Sequence, residues 1–582
     1  MRRGRGSFAV SSSRVNSCVN SFCENPIITN VKNLTVLFAG NENSHQSDAL
    51  FDGKSAFSRA VSWAESIDEI GEIETASGRR EKMENAVVVF CSSRTKSFVE
   101  SETQGKNIRI AENAEWTIHS LLASMAAQAS AAGADTVLFA FADCPFLNTS
   151  LTAEIVETHK KYAAEYTFAD GYPEGFAPEA IDAGALSLLA SLSAADALQK
   201  EVGAKKVSRD AIFSVMKGDI NAFEIETVIA PRDFRQYRLR FACDSKANAS
   251  VCASLFASSD FCDDPVLLSQ RAVQNPRILH SLPAFYRVGL TEAMDSDDVF
   301  ALYPNVYKKM HGVFPREDKN AREMPFDRFQ KLIGDIASFS ETAVVALSAG
   351  GEPLKYSAFE KAVETVLQYA GLSVLIETSG YAVTEELAQS ISRIAENAPK
   401  RAGEWAAVMW IVSVDAADAA MYAKMHLNAP ENAFERAKNA VGILAKHFGK
   451  NVYPQFLRVN ENEEQLEAFF RFWKRGESPS LGNVLVQKYD YGCAFLRENK
   501  PADLSPLERF PCWHVRRDFT VLSGGEVPIC PEWLSESDFV GNAFEQNIGD
   551  LWEKSVPLLE AHVKKCYSEK CSACDEFYTF NF

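Results

Sequence analysis

Four cysteines near the end of the chain carry the clearest chemistry in the sequence. Cys512 and Cys530 enclose seventeen residues, and after forty intervening residues Cys571 and Cys574 form a C-x2-C pair. A C-x2-C turn sets two sulfurs on one side of a tight loop, and a second pair brought from elsewhere completes four thiolates. Four thiolates hold either a tetrahedral zinc ion or an iron-sulfur cluster, and spacing alone leaves both open. Cys566, five residues before Cys571, is a further candidate ligand or a free thiol. Gly524 and Gly525 lie between the first pair, where a hairpin must turn to bring Cys512 and Cys530 together.

The remaining cysteines, Cys18, Cys23, Cys91, Cys144, Cys243, Cys252, Cys262 and Cys493, are scattered singly. Such scatter suits buried reduced thiols and a cytoplasmic location rather than a disulfide framework. The formal charge of −18 disfavours nucleic acid and anionic membranes, whose phosphates are met by Lys and Arg. No run of eighteen apolar residues exists, so no membrane span is expected. Arg2, Arg3 and Arg5 precede a Ser- and Asn-rich stretch with no apolar segment, which reads as a flexible tail rather than a secretory signal.

These cysteines need a scaffold, and 582 residues suggest about three or four domains. Leu34 to Gly40, Ala86 to Cys91 and Asp135 to Phe141 read as buried strands, with helices over Ala56 to Ile67 and Leu151 to Glu165. Strands alternating with helices imply an α/β domain built on a parallel sheet. The pattern restarts near Pro276. Strands are predicted at Val344 to Leu347, Leu372 to Glu377, Ala407 to Val414, Val452 to Val459 and Val484 to Gln487. Helices are predicted at Tyr356 to Tyr369, Thr384 to Asn397, Asn432 to Phe448 and Glu463 to Trp473. Five or six such units point to a full or partial β/α barrel, whose function gathers at the C-terminal strand ends. After Tyr489 the periodicity breaks into a loop-rich tail.

Several motifs resemble known families. Pro511-Cys512-Trp513, Leu522-Ser-Gly-Gly-Glu-Val-Pro-Ile-Cys530, Gly541-Asn542 and Ile548-Gly-Asp-Leu-Trp552 before the closing C-x2-C resemble the SPASM or twitch extension of radical SAM enzymes. That resemblance implies an auxiliary 4Fe-4S cluster on Cys512, Cys530, Cys571 and Cys574. Upstream, Ser348-Ala-Gly350-Gly351-Glu352-Pro353 resembles the family's GGEP motif, which implies contact with the amino group of S-adenosylmethionine. Thr378-Ser-Gly380 and Ser413-Val-Asp-Ala416 stand where the family has its T-N-G and S-x-D motifs. The resemblance covers about Phe285 to Gln487, and it departs at the defining C-x3-C-x2-C trio. The frame from Thr291 to Pro304 fits without a gap, but Met294, Asp298 and Ala301 occupy the cysteine positions. Methionine and aspartate are poor cluster ligands and alanine is none, so radical cleavage of S-adenosylmethionine is expected to be lost.

At the N-terminus, Thr35 to Gly40, Phe51 to Lys54, Ala142-Asp143-Cys-Pro-Phe-Leu147, Asp170 to Glu179 and Arg238 to Asp244 resemble sugar nucleotidyltransferases of the cytidylyltransferase type. The resemblance implies that Asp143 and Asp244 hold Mg2+ against nucleotide phosphates. The stretch Gly40 to Asp48 lacks the basic residue that would hold a triphosphate. Taken together, the resemblances imply a flexible tail over residues 1–30, a Rossmann-like nucleotidyltransferase domain over 31–268, a TIM-like radical SAM barrel over 278–500 and a SPASM or twitch iron-sulfur domain over 505–582. That combination resembles the spiro-SPASM proteins. It implies an iron-sulfur protein with a degenerate S-adenosylmethionine site and an unspecified protein or peptide substrate or partner. An active radical SAM maturase working with a partner and a sugar cytidylyltransferase are the alternatives.

Overall fold

The computed structural model describes residues 31–579 except 71, 75–79, 196, 197, 199–201, 259–261 and 404. The flexible tail read from residues 1–30, with Cys18 and Cys23, lies outside the described residues. No helix among the described residues is long and apolar enough to cross a membrane.

The first eight strands are β1 (Val31–Ala39), β2 (Glu72–Glu74), β3 (Arg80–Cys91), β4 (Ile108–Glu112), β5 (Thr136–Phe141), β6 (Tyr166–Asp170), β7 (Glu179–Asp182) and β8 (Ile225–Ile229). They form one sheet in the order β2-β3-β1-β5-β7-β6-β8, with β4 against β3. Along β1, Leu34, Val36 and Phe38 face one apolar layer while Leu37 and Ala39 face the other, so the sheet is covered on both sides. On the second face the helix Ala56–Ser66 contributes Phe57, Ala60, Val61 and Ala64. Ser55 opens that helix with a reciprocal capping box, its hydroxyl accepting from the Ser58 amide at 3.0 Å. The sheet is mixed rather than wholly parallel. β7 runs antiparallel to both β5 and β6. The short link between β6 and β7 carries no helix, and a parallel return would need a crossover of a dozen or more residues.

The remaining strands are β9 (Phe285–Val288), β10 (Asp297–Asp298), β11 (Ala343–Leu347), β12 (Leu372–Thr378), β13 (Val408–Ser413), β14 (His426–Leu427), β15 (Val452–Arg458), β16 (Leu485–Lys488), β17 (Asp518–Val521), β18 (Glu526–Pro528) and β19 (Phe539–Asn542). Seven of them form a parallel sheet in the order β16-β15-β13-β12-β11-β9-β17. Phe285, Val344, Ala346, Leu375, Met409 and Ile411 pack together on one face. Tyr286, Val345, Val374, Ile376 and Trp410 alternate with them and meet the helices Phe326–Ser340, Phe359–Leu367, Glu385–Asn397 and Ala433–Phe448 on the other. The period of two in the strands and 3.6 in the helices is what the sequence displays.

The predicted helix at Tyr356 starts later, at Phe359. A 3-10 turn over Pro353–Lys355 precedes it, and the Tyr356 hydroxyl is drawn inward to donate to the Met324 carbonyl at 2.8 Å. The predicted hairpin around Gly524 and Gly525 also differs. The turn is present, with Gly525 at φ +87°, but β17 joins the large sheet while β18 pairs with β19. The tail reaches the first domain too, since Phe510, Cys512, Val515 and Phe577 share a core with Tyr237, Phe241 and Leu279.

Trp410 is fully buried, its ring 5.6 Å from that of Phe448 across the sheet-helix interface. Replacing it with alanine is expected to cost about 3–5 kcal/mol. Urea denaturation followed by circular dichroism should show the midpoint falling with little change in slope.

Candidate functional site

The four tail cysteines reach one neighbourhood along separate routes. Cys512 precedes the short helix Trp513–Arg517, and Cys530 follows β18. Cys571 lies in the helix Glu569–Ala573, and Cys574 ends it. Three ties close the arrangement. The Trp513 amide donates to the Phe577 carbonyl at 3.0 Å. Lys570 reaches the Asp538 carboxylate at 2.5 Å, binding the C-x2-C helix to the segment after Cys530. His562 bridges the rest, its Nδ1 accepting from the Cys512 amide at 3.3 Å while its Nε2 stands 3.3 Å from the Cys571 sulfur.

Burial, with Arg509 nearby, lowers the His562 pKa to about 4, so the ring is neutral. Because Nδ1 accepts, the proton sits on Nε2 and is directed at the Cys571 sulfur. Each of the other sulfurs is also supplied with backbone donors. Burial pushes the Cys512 thiol up, and neighbouring Cys574 and Cys571 add to this while the amides of Val515 and His514 oppose it. Burial likewise raises Cys530, opposed by the Glu532 amide. For Cys571 burial is opposed by Ser568 and Arg509. The Glu576 amide donates to the Cys574 sulfur at 3.3 Å. N–H groups aimed at sulfur stabilise thiolate ligands and tune the metal they hold.

Cys493 joins this group. The Cys574 thiol is raised first by its hydrogen bond to Cys493 and then by burial. Cys493 and Ala494 carry φ of +53° and +67°, so the loop is bent to present that thiol. Sequence spacing gave no pointer to it, because Cys493 stands nineteen residues before Cys512 outside any short motif. Cys566, by contrast, is exposed, its thiol 3.6 Å from the Lys564 carbonyl.

The barrel motifs interlock at the strand ends. The Gly351 and Glu352 amides donate to the Thr291 and Ala293 carbonyls, each at 2.8 Å. The Glu352 carboxylate accepts from the Thr378 hydroxyl at 2.6 Å and the Ser379 amide at 2.8 Å. A Cβ on Gly351 would lie 2.3 Å from the Ala293 carbonyl oxygen, so glycine is required by the close approach of the two loops. Gly350 takes φ +143° beside it.

Within the frame from Thr291 to Pro304, β10 pairs antiparallel with β14 and sets Asp298 opposite His426. His426 Nδ1 stands 2.8 Å from Asp298 Oδ1, and its Nε2 stands 3.1 Å from Asp415 Oδ2, the aspartate of the S-x-D motif. The Ser296 hydroxyl donates to Asp298 at 2.8 Å. Burial works against a charged ring, but Asp298 and Asp415 outweigh it and lift the His426 pKa to about 10. Asp298 is held below the usual carboxylate range, burial being overcome by His426 and Ser296. Met294, Asp298 and Ala301 therefore do not fit a cluster. The aspartate is engaged by an imidazolium, and alanine offers no donor atom.

In the first domain, Asp143 and Asp244 are brought together, and Arg209 lies between them. Its guanidinium is 2.6 Å from Asp143, 3.4 Å from Asp244 and 3.2 Å from Glu174. Arg240 adds a second contact to Asp244 at 3.0 Å. Arg209 also lies over the Phe141 ring, 4.5 Å from its centroid. A divalent cation on these two carboxylates would have to displace a buried, paired guanidinium.

No protein-family profile matches the chain. A Treponema pallidum (strain Nichols) protein described as uncharacterized is 38% identical over 377 residues, covering 64% of this chain and 98% of the relative. A second uncharacterized Treponema pallidum protein is 42% identical over 52 residues, 9% of this chain and 24% of that relative. Among solved structures, BtrN in complex with AdoMet and 2-DOIA aligns at 15% identity and TM-score 0.31, covering 50% of this chain and 93% of its own. A cytidylyltransferase from Leptospira borgpetersenii aligns at 14% and TM-score 0.32, covering 43% and 97%. Streptococcus suis SuiB bound to precursor peptide SuiA aligns at 14% and TM-score 0.37, covering 55% and 77%.

The Asp298–His426–Asp415 set makes stability pH-dependent. A histidine whose pKa rises from about 6.5 when unfolded to about 10 when folded contributes fully below the lower value and progressively less as pH climbs through the upper one. Thermal melts from pH 6 to pH 10 should fall in the wild type more steeply than in His426→Gln. At pH 6 that variant should lose about 3–5 kcal/mol, because two carboxylates are left facing each other.

Proposed function

The chain belongs to the same family as the matched Treponema pallidum protein, and we propose, from its own residues, that it is an iron-sulfur protein. In this reading Cys512, Cys530, Cys571 and Cys574 hold one 4Fe-4S cluster, and the barrel beside it no longer cleaves S-adenosylmethionine. The observation that carries the proposal is the convergence of four thiols that each receive hydrogen-bond donors, with neutral His562 directing its proton at Cys571.

The spacing of the sulfurs favours iron-sulfur over zinc. Four thiolates on one zinc at about 2.3 Å stand roughly 3.8 Å apart. Among the described residues, the one set of three or more His, Cys, Asp or Glu ligand atoms gathered within 4.8 Å is Asp490, Asp575 and Glu576. That set is already met by lysine, with Lys488 and Lys500 each 3.0 Å from Asp575. No three of the four tail sulfurs are gathered that closely, and ligands on four separate irons stand further apart than ligands on one zinc.

When bound, such a cluster supplies one-electron transfer. The chain's own residues set its surroundings. His562 and the backbone amides stabilise the thiolates, while Arg287 on β9 holds Glu532 beside Cys530 at 3.7 Å and links the cysteine neighbourhood to the barrel. The Glu352 and His426 networks keep the motif loops together as scaffold, which suits a redox or docking role in a protein- or peptide-modification pathway.

Anaerobic reconstitution should give about four iron per chain with a charge-transfer band at about 410 nm. Both should be lost in a Cys571→Ala, Cys574→Ala variant. Stoichiometric zinc without that band would overturn the reading. Incubation of the reduced, reconstituted protein with S-adenosylmethionine should release no 5′-deoxyadenosine, and release by the protein alone would refute the loss of radical chemistry.

A further inference from the structure

Two arginines beside the tail cysteines, Arg509 and Arg516, have no carboxylate partner among the described residues. Arg509 lies over the rings of Phe577 at 4.4 Å and Tyr567 at 4.5 Å, and a terminal nitrogen donates to the Cys574 carbonyl at 3.2 Å. Its Nε is buried without a hydrogen-bond partner among the described residues. Arg516 is only 5% exposed. It donates from Nε to the Leu279 carbonyl at 3.2 Å and from a terminal nitrogen to the Tyr237 carbonyl at 2.7 Å. Cys512 caps the same short helix four residues earlier, a spacing that sets two side chains on one face.

Carbonyl oxygens satisfy N–H donors but leave a buried positive charge without a counter-charge, which is costly. The surroundings add further cation. Arg238, Arg516 and Arg517 lie 4.8, 5.3 and 5.2 Å from the centroid of the Trp513 ring. Of these, Arg517 meets Asp518 at 2.6 Å, a carboxylate that His514 also meets. Arg238 comes from the first domain and donates to the Tyr578 carbonyl at 2.9 Å. Burial, and after it Arg238, lowers the Arg516 pKa to about 10, and Cys512 acts most strongly in the other direction. Burial raises the Cys571 thiol, and Arg509 works against it after Ser568. Glu532, the acid beside Cys530, is already held by Arg287 at 3.7 Å. The anions that remain for the two arginines are the cysteine sulfurs themselves.

On the footing of the iron-sulfur reading, we propose that Arg509 and Arg516 are fixed counter-charges to the cluster held by the tail cysteines, and that they raise its reduction potential. Four thiolates make such a cluster anionic, and an added electron makes it more so. Arginine stays protonated at neutral pH. Its attraction to the site therefore grows on reduction, which favours the reduced form, and the effect is strong where water is excluded. Arg509 acts from beside Cys571 and Cys574, and Arg516 acts from beside Cys512. Arg238 adds charge from the first domain, so that domain also bears on the potential.

Anaerobic dithionite titration of the reconstituted full chain against reference dyes, followed by EPR, tests it. Iron content and the band at about 410 nm are recorded first for each protein. Arg509→Gln and Arg516→Gln should each take up iron as the wild type does. Each should disfavour the reduced form about tenfold, a fall of about 59 mV in a one-electron midpoint. Arg509→Lys and Arg516→Lys keep the charge and should stay near the wild type. Added salt should leave these differences nearly unchanged, since buried charges are screened little. Arg471→Gln, exposed on the helix Leu466–Trp473, is the control and should not shift. If one Gln variant loads less iron the other is read, and if both do, Arg238→Gln is read. Wild-type midpoints in the Gln variants, or Lys variants that fall as far as the Gln ones, would overturn the counter-charges and leave the iron-sulfur reading standing. A wild type that takes up no iron would overturn both.

Discussion

β17 lies beside β9 in parallel register, with Asp518 opposite Phe285 and Val521 opposite Val288, and the placement of the cysteines follows from that pairing. Cys512 is one short helix before the strand, and Cys530 is one turn and one short strand after it. A shift of two residues in register would move both ends by about 7 Å, and a shift of one would turn Phe519 and Val521 out of the core. The strand is anchored by charge as well. Asp518 is fully enclosed between His514 at 2.6 Å and Arg517 at 2.6 Å, and Arg517 lies 4.8 Å from the centroid of the Phe285 ring. Burial opposes the charged carboxylate, yet Arg517 and the contact with His514 hold its pKa at about 2. Such an enclosed set tolerates one arrangement well and others poorly, because an unpaired buried charge costs several kcal/mol.

The same logic recurs at two positions where the family resemblances imply a metal. At the barrel frame, His426 stands between Asp298 and Asp415. In the first domain, Arg209 stands between Asp143 and Asp244. A carboxylate buried at a strand end needs a cation, and a side chain from a neighbouring segment meets that need permanently where a bound metal would meet it reversibly. Each pairing preserves the fold of the motif while occupying its donor atoms.

The barrel was largely legible before the tertiary structure. Strands at residues 372 and 452 and helices at 385 and 433 begin within one or two residues of where apolar periodicity puts them, because these segments bury one face regardless of their partners. β7 was not legible as antiparallel. Strand direction is set by the link to β6, and a short apolar run carries no sign of direction. The turn at Gly524 and Gly525 was read correctly as a turn, yet its two strands belong to different sheets, which no local signal records.

For the cysteine site, the sequence by itself determined the four thiols, the C-x2-C turn and the presence of Met294, Asp298 and Ala301 rather than cysteine, since these are matters of residue type and short spacing. The tertiary structure alone decided that His562 directs a proton at Cys571, that Cys493 reaches Cys574, and that Arg209 and His426 lie between paired carboxylates. Except for His562 with Cys571 and His426 with Asp415, these contacts join elements far apart along the chain. Their geometry depends on strand register and domain packing, which come from the summed burial of many residues rather than from any local pattern.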